Sequence, residues 1–140
     1  MLKAFFEQEA LRAWWQVSRA LAVPRILGPY ALQWTATDFA DDILGRLGGV
    51  FHGTVVEFLP ERGFLVANAY WLAPDGDPIG PMAFEVACTP AARGGSAQGP
   101  VRVRLTQQGY EDSARWRRYY EVVTPGYERA LAALKSLLEK

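Results

Sequence analysis

The chain has 140 residues, enough for one domain and too few for a second full core. Fifteen Lys and Arg balance fifteen Asp and Glu, and half the residues are hydrophobic, which excludes a disordered chain and argues against a protein built to grip phosphate backbones. One Cys and one His exclude an internal disulfide and a Cys/His zinc site, and no run approaches the ~18 unbroken apolar residues of a membrane span.

The opening MLKAFFEQEA has no long apolar run and no small-residue cleavage site, so it does not read as a secretory signal. The expectation is a soluble cytoplasmic protein. Leu2 to about Arg19 is rich in Leu, Ala, Glu, Gln and Arg and lacks Gly and Pro, which predicts a helix. Pro24, Gly28 and Pro29 end it. Tyr30–Thr35 reads as a short strand, and Thr37–Gly48 as a loop rich in Asp and Gly.

From Gly49 the pattern is β. Gly49–Leu59, Gly63–Ala73, Ile79–Thr89 and Val101–Gln107 are rich in Val, Phe, Tyr and Trp. Pro60–Gly63 and Pro74–Pro78 are short turns, so successive strands form antiparallel hairpins. Pro90–Pro100, rich in Gly, Ala and Ser, reads as a long hairpin loop. Val101, Val103 and Leu105 alternate with Arg102, Arg104 and Thr106, which gives one wet face and one covered face. After Pro125, Tyr127, Leu131, Leu134 and Leu138 recur at helical spacing, predicting an amphipathic helix of about 14 residues that covers the sheet. This order is α+β in a single domain.

Several local patterns invite functional readings. Gly48–Thr54 imitates a phosphate loop but lacks the Lys and the following helix. Asp38, Asp41 and Asp42 lack the spacing of a calcium loop. Arg115–Tyr120 interleaves basic and stacking side chains, as single-strand nucleic-acid sites do. Zero net charge favours packing of Trp116 and Tyr119–Tyr120, with the arginines in water. Cys88 and His52 would need mutual hydrogen-bond reach to act as a nucleophile pair.

The strand and helix motifs also resemble those of a known family. Gly49–Val50–Phe51, Gly53–Thr54–Val55–Val56–Glu57, Pro60 and Leu65 match its first strands. Arg102–Val103–Arg104–Leu105–Thr106, Gly109–Tyr110, Gly126–Tyr127 and Leu131, Leu134, Leu138, Glu139 match its ending. Over roughly residues 4–139 the chain resembles the activator of heat-shock-protein-90 ATPase homologue family, of the START-like (SRPBCC) superfamily. Phe5, Leu11 and Trp14–Trp15 resemble its first helix, so its first strand has no counterpart here. The resemblance implies a helix-grip fold, a curved antiparallel sheet wrapped around a long C-terminal helix with a cavity between them. Superfamily members bind hydrophobic ligands such as lipids. A sheet edge without its first strand implies possible homodimerisation.

The expected function is binding of a small hydrophobic or lipid-like ligand, with no cofactor, no metal, no nucleic acid and no membrane span. The alternation places His52, Val56, Phe58, Phe84, Val86, Val103 and Leu105 on inward faces, with Leu131 and Leu134 opposite. His52 would orient the ligand, and Trp116 or Tyr119 would sit near the mouth. The five Trp, six Tyr and seven Phe suit an apolar pocket as well as a core. Two other readings stay open. One is a co-chaperone-like interaction module using Arg102, Arg104, Arg115 and Arg118. The other is a cavity enzyme, which needs paired acid–base groups inside.

Overall fold

The computed structural model describes residues 2–90, 101–109 and 111–139, so the loop expected at Pro90–Pro100 and the motif residue Tyr110 lie outside the described residues, Pro90 excepted. Leu2–Phe5 is a 3-10 turn, followed by α1 (Gln8–Trp15), β1 (Arg19–Ala22), β2 (Pro29–Trp34), β3 (Ala40–Asp41) and β4 (Gly45–Arg46). β5 (Gly49–Leu59), β6 (Gly63–Leu72), β7 (Ile79–Pro90), β8 (Val101–Gln108) and α2 (Ala114–Leu138) complete the order. Six strands make one antiparallel sheet in the order β1-β2-β5-β6-β7-β8, and β3 pairs with β4 as a separate hairpin. α2 packs on the sheet, so the fold is α+β in the helix-grip arrangement. No helix among the described residues is long and apolar enough to cross a membrane.

Two helices differ from expectation. The first stops at Trp15 because Gln16 turns left-handed (φ 58°) and its N–H reaches back to the Leu11 carbonyl. The chain then enters β1 at Arg19, where the span read as helix ends. A non-glycine residue in this cap leaves no sequence signal. The last helix has 25 residues and begins eleven residues before Pro125. Ser113 starts it by accepting a hydrogen bond from the Trp116 backbone N–H at 3.2 Å. Pro125 sits mid-helix on the exposed side, where the carbonyl deprived of its N–H partner meets water.

The long strands are bulged, and the bulges reset which side chains face inward. Val55 pairs with Val66 and Glu57 with Leu65, so Val56 is an extra residue on β5. His52 pairs with Tyr70 and Thr54 with Ala67, so β6 carries its own extra residue near Asn68, whose φ is 51°. Between Ile79 and Met82, β7 gains one opposite Ala69–Trp71. Irregularities on three adjacent strands bend and twist the sheet around the helix.

Aromatic rings fill one end of the grip. Phe5, Phe6, Trp14, Tyr30, Phe58, Phe64 and Phe84 meet mostly edge to face, with Phe6 and Phe64 centroids 4.7 Å apart. Two buried donors tie the N-terminal turn to this cluster: Trp14 Nε1 to the Ala4 carbonyl at 2.7 Å and the Tyr30 hydroxyl to the Phe5 carbonyl at 2.9 Å.

Candidate functional site

The other end of the grip is not filled. A cleft of about 580 Å³ lies between α2 and the sheet, closed laterally by the end of α1 and by the β3–β4 hairpin. Its size is that of a small-molecule site. Large residues line the sheet side, Trp34, Phe51 and Trp71, and Trp15 joins them from the end of α1. On the helix side, beside Tyr119, Val122, Val123 and Tyr127, runs a stripe of small ones, Gly126, Ala130 and Ala133, spaced four and three apart. This asymmetry makes the space. Long rings prop α2 away from the sheet at Trp71–Tyr119 (5.5 Å) and Phe84–Tyr127 (6.4 Å). The small stripe then leaves volume between the props.

The polar side-chain atoms of Trp34, Trp71, Thr37, Tyr119 and Tyr127 in the wall are already used. Trp34 Nε1 donates to the Trp15 carbonyl at 2.9 Å, and Trp71 Nε1 to the Gly48 carbonyl at 2.7 Å. Thr37 Oγ1 donates to the Phe39 carbonyl and accepts from the Leu47 N–H. Tyr127 donates to Gln107 Oε1 and Tyr119 accepts from Gln107 Nε2, both at 2.8 Å. Gln107 Nε2 also contacts Met82 Sδ. Burial pushes the Tyr119 hydroxyl up to about 12 and raises Tyr127 well above its ordinary value, so both stay neutral near pH 7. The surface presented to the cleft is therefore mainly ring faces and methyl groups.

Gly48 and Gly49 shape the floor. Both have positive φ (94° and 86°), and a Cβ would collide with the Thr35 carbonyl at Gly48 and the Leu72 carbonyl at Gly49. Only glycine lets β5 start this close to β2 and β6, and the Gly48 carbonyl then anchors Trp71.

Three charged ties link the β3–β4 hairpin, the turn after β6 and α2. Asp41 in the hairpin meets Arg118 of α2 at 2.6 Å and accepts from the backbone N–H groups of Ile43 and Leu44. The Arg118 hydrogen bond, chiefly, holds its carboxyl at about 2. Asp75 pairs with Arg46 at 2.8 Å and is likewise held at about 2. Arg115 Nη2 donates to the Asp77 carbonyl at 2.7 Å. The basic run at Arg115–Tyr120 is thus an anchor. Trp116 and Tyr119 are buried, while Arg115 and Arg118 brace neighbouring loops.

The residues expected to line one cavity are dispersed. Tyr119 alone among them borders the cleft. His52 and Val56 do not face inward. Parity counted back from Phe58 crosses the extra residue at Val56 and reverses, so Phe51 and Val55 are buried instead. His52 stacks on Tyr70 beside it, rings 6.0 Å apart, and Val56 is exposed. Phe84, Val86 and Leu134 are fully buried core, and Phe58 and Val103 pack against it. Trp116 is buried and donates from Nε1 to Glu111 at 3.1 Å, away from any mouth. Leu105 and Leu131 border a smaller groove of about 270 Å³ between β8 and α2.

Cys88 faces the core, where burial raises its thiol, two strands from His52 and on the other face. The pair has no route to a shared proton. No group of three His, Cys, Asp or Glu among the described residues could hold a metal. Trp15, Trp34, Phe51, Trp71, Tyr127 and Arg129 border the cleft and were not singled out from sequence as its walls. Their one signal was the high aromatic content. The chain matches no protein-family profile, no curated protein and no solved structure.

Proposed function

We propose that the chain binds a small hydrophobic molecule in the cleft between α2 and the sheet. One observation carries the reading: an unfilled space of about 580 Å³ walled by aromatic rings whose polar atoms are satisfied within the protein. Such a wall gains little from water and much from an apolar guest. No carboxylate or imidazole borders the cleft among the described residues, so acid–base chemistry has no pair of groups to use there.

Four of the five tryptophans border the space, so tryptophan fluorescence reports its occupancy directly. Titration with Nile red, a neutral apolar dye, is expected to quench that fluorescence saturably. Ala133 borders the cleft from an exposed helix position, so Ala133→Phe obstructs the space without crowding the core. It is expected to weaken dye binding at least about tenfold with circular dichroism unchanged. Absence of saturable binding, or equal binding by the variant, refutes the reading.

A partner surface is the second reading, and a specific patch favours it. Leu21, Ile26 and Leu27 at the β1 edge are 59–73% exposed. The other edge, β8, carries Arg102 and Arg104, charges that oppose edge pairing. Self-association through β1 predicts a dimer in light scattering that Leu27→Asp abolishes. A monomeric wild type refutes it.

A further inference from the structure

Arg129 is the only charged side chain among the described residues bordering the cleft. It is exposed, so it stands where the cleft opens to water. Its guanidinium lies along α2 toward Gly126, with Nη2 4.0 Å from the position a Cβ would take there. Among the described residues it makes no ion pair and no side-chain hydrogen bond, unlike Arg46, Arg115 and Arg118, which tie the hairpin and the turn after β6. The polar atoms behind it are committed to one another, so they offer little to a polar group deep inside. An apolar chamber with one uncommitted cation at its lip matches an amphipathic anion.

We infer that the cleft takes a ligand with an apolar body and a single carboxylate, the carboxylate pairing with Arg129; this rests on the cleft being a binding site. The body enters among Trp15, Trp34, Phe51 and Trp71, and the head stays at the lip in partial contact with water. One guanidinium matches a carboxylate fork and balances one negative charge. A phosphate monoester carries nearly two near pH 7, and among the described residues no second cation borders the cleft to meet it.

The test compares 2-naphthoate, 2-naphthamide and 2-naphthyl phosphate, three heads on one aromatic body, by tryptophan quenching of the full chain. Nile red serves as the neutral control. On the wild type, 2-naphthoate is expected to bind about tenfold more tightly than the amide, the factor of one charge-assisted contact. Arg129→Gln is expected to erase that preference while leaving Nile red binding unchanged. The preference is also expected to shrink as salt rises, since the contact is exposed. Equal binding of naphthoate and amide on the wild type overturns the inference. So does a preference that survives Arg129→Gln, or tighter binding of the phosphate. Nile red binding without any naphthyl binding overturns the inference and leaves the apolar cleft standing. Loss of Nile red binding to the wild type removes the cleft reading itself.

Discussion

Phe84→Ala is the most informative single change to the core. The ring is fully buried and has five aromatic neighbours: Phe51 at 5.7 Å, Trp15 and Tyr30 at 6.0 Å, Phe64 at 6.2 Å and Tyr127 at 6.4 Å. Two of these are pinned by their own hydroxyls, Tyr30 to the Phe5 carbonyl and Tyr127 to Gln107. Pinned rings cannot close over a hole. The cost therefore belongs in the upper half of the 3–5 kcal/mol range for Phe→Ala, at about 4 kcal/mol. That is a large share of the 5–15 kcal/mol typical of a domain. Urea unfolding followed by far-ultraviolet circular dichroism measures it. With a slope of about 2 kcal/mol per molar, the midpoint falls by about 2 M. A loss below about 1.5 kcal/mol at unchanged slope would show that the rings do collapse, and the argument from pinned neighbours would be wrong.

Gly126→Ala is expected to stabilise the chain by about 0.5–1 kcal/mol, because Gly126 sits inside α2 and a Cβ there meets nothing closer than Arg129 Nη2 at 4.0 Å; a thermal melt reads the gain. Gly49→Ala is expected to cost about 1–3 kcal/mol from its positive φ alone, and the clash with the Leu72 carbonyl adds to that; chemical denaturation checks it. Asp41 and Asp75 are held at about 2 against the ordinary 3.8, so their contribution is complete above the ordinary value and is lost as pH falls toward about 2. Melting temperature followed against pH is expected to drop across that window. Asp41→Asn is expected to flatten the drop, and an unchanged profile refutes the assignment.

The α+β order and the four long strands were legible in the sequence because hydrophobic alternation and Pro/Gly turns are local signals. The face assignments survived only where alternation ran unbroken. On β7, Phe84, Val86 and Cys88 do share the buried face. On β5 one unpaired residue at Val56 reversed the count and placed His52 wrongly. A bulge is written in the pairing with the neighbouring strand, so a single strand does not announce it. Asn68, left-handed inside β6, marks the separate bulge on that strand and not the one at Val56. The cleft was hidden for a related reason. Trp34 and Trp71 come from different strands, and the space they border exists only because Gly126, Ala130 and Ala133 face it. Length and continuity of α2 were obscured by Pro125, whose exposed position makes the interruption tolerable.

The split between a large-residue sheet wall and a small-residue helix wall has an evolutionary consequence. The small side chains at 126, 130 and 133 of α2 leave room in the cleft that larger ones would take up. The wall of large residues is interlocked with the core, Trp15 stacking on Phe84, so changes there carry a folding penalty. On the helix stripe Ala130 is buried in the core as well, whereas Gly126 and Ala133 are not. Descendants of this chain could therefore diversify in guest size, from roomy to closed, by drift at positions 126 and 133 while the scaffold stays constant.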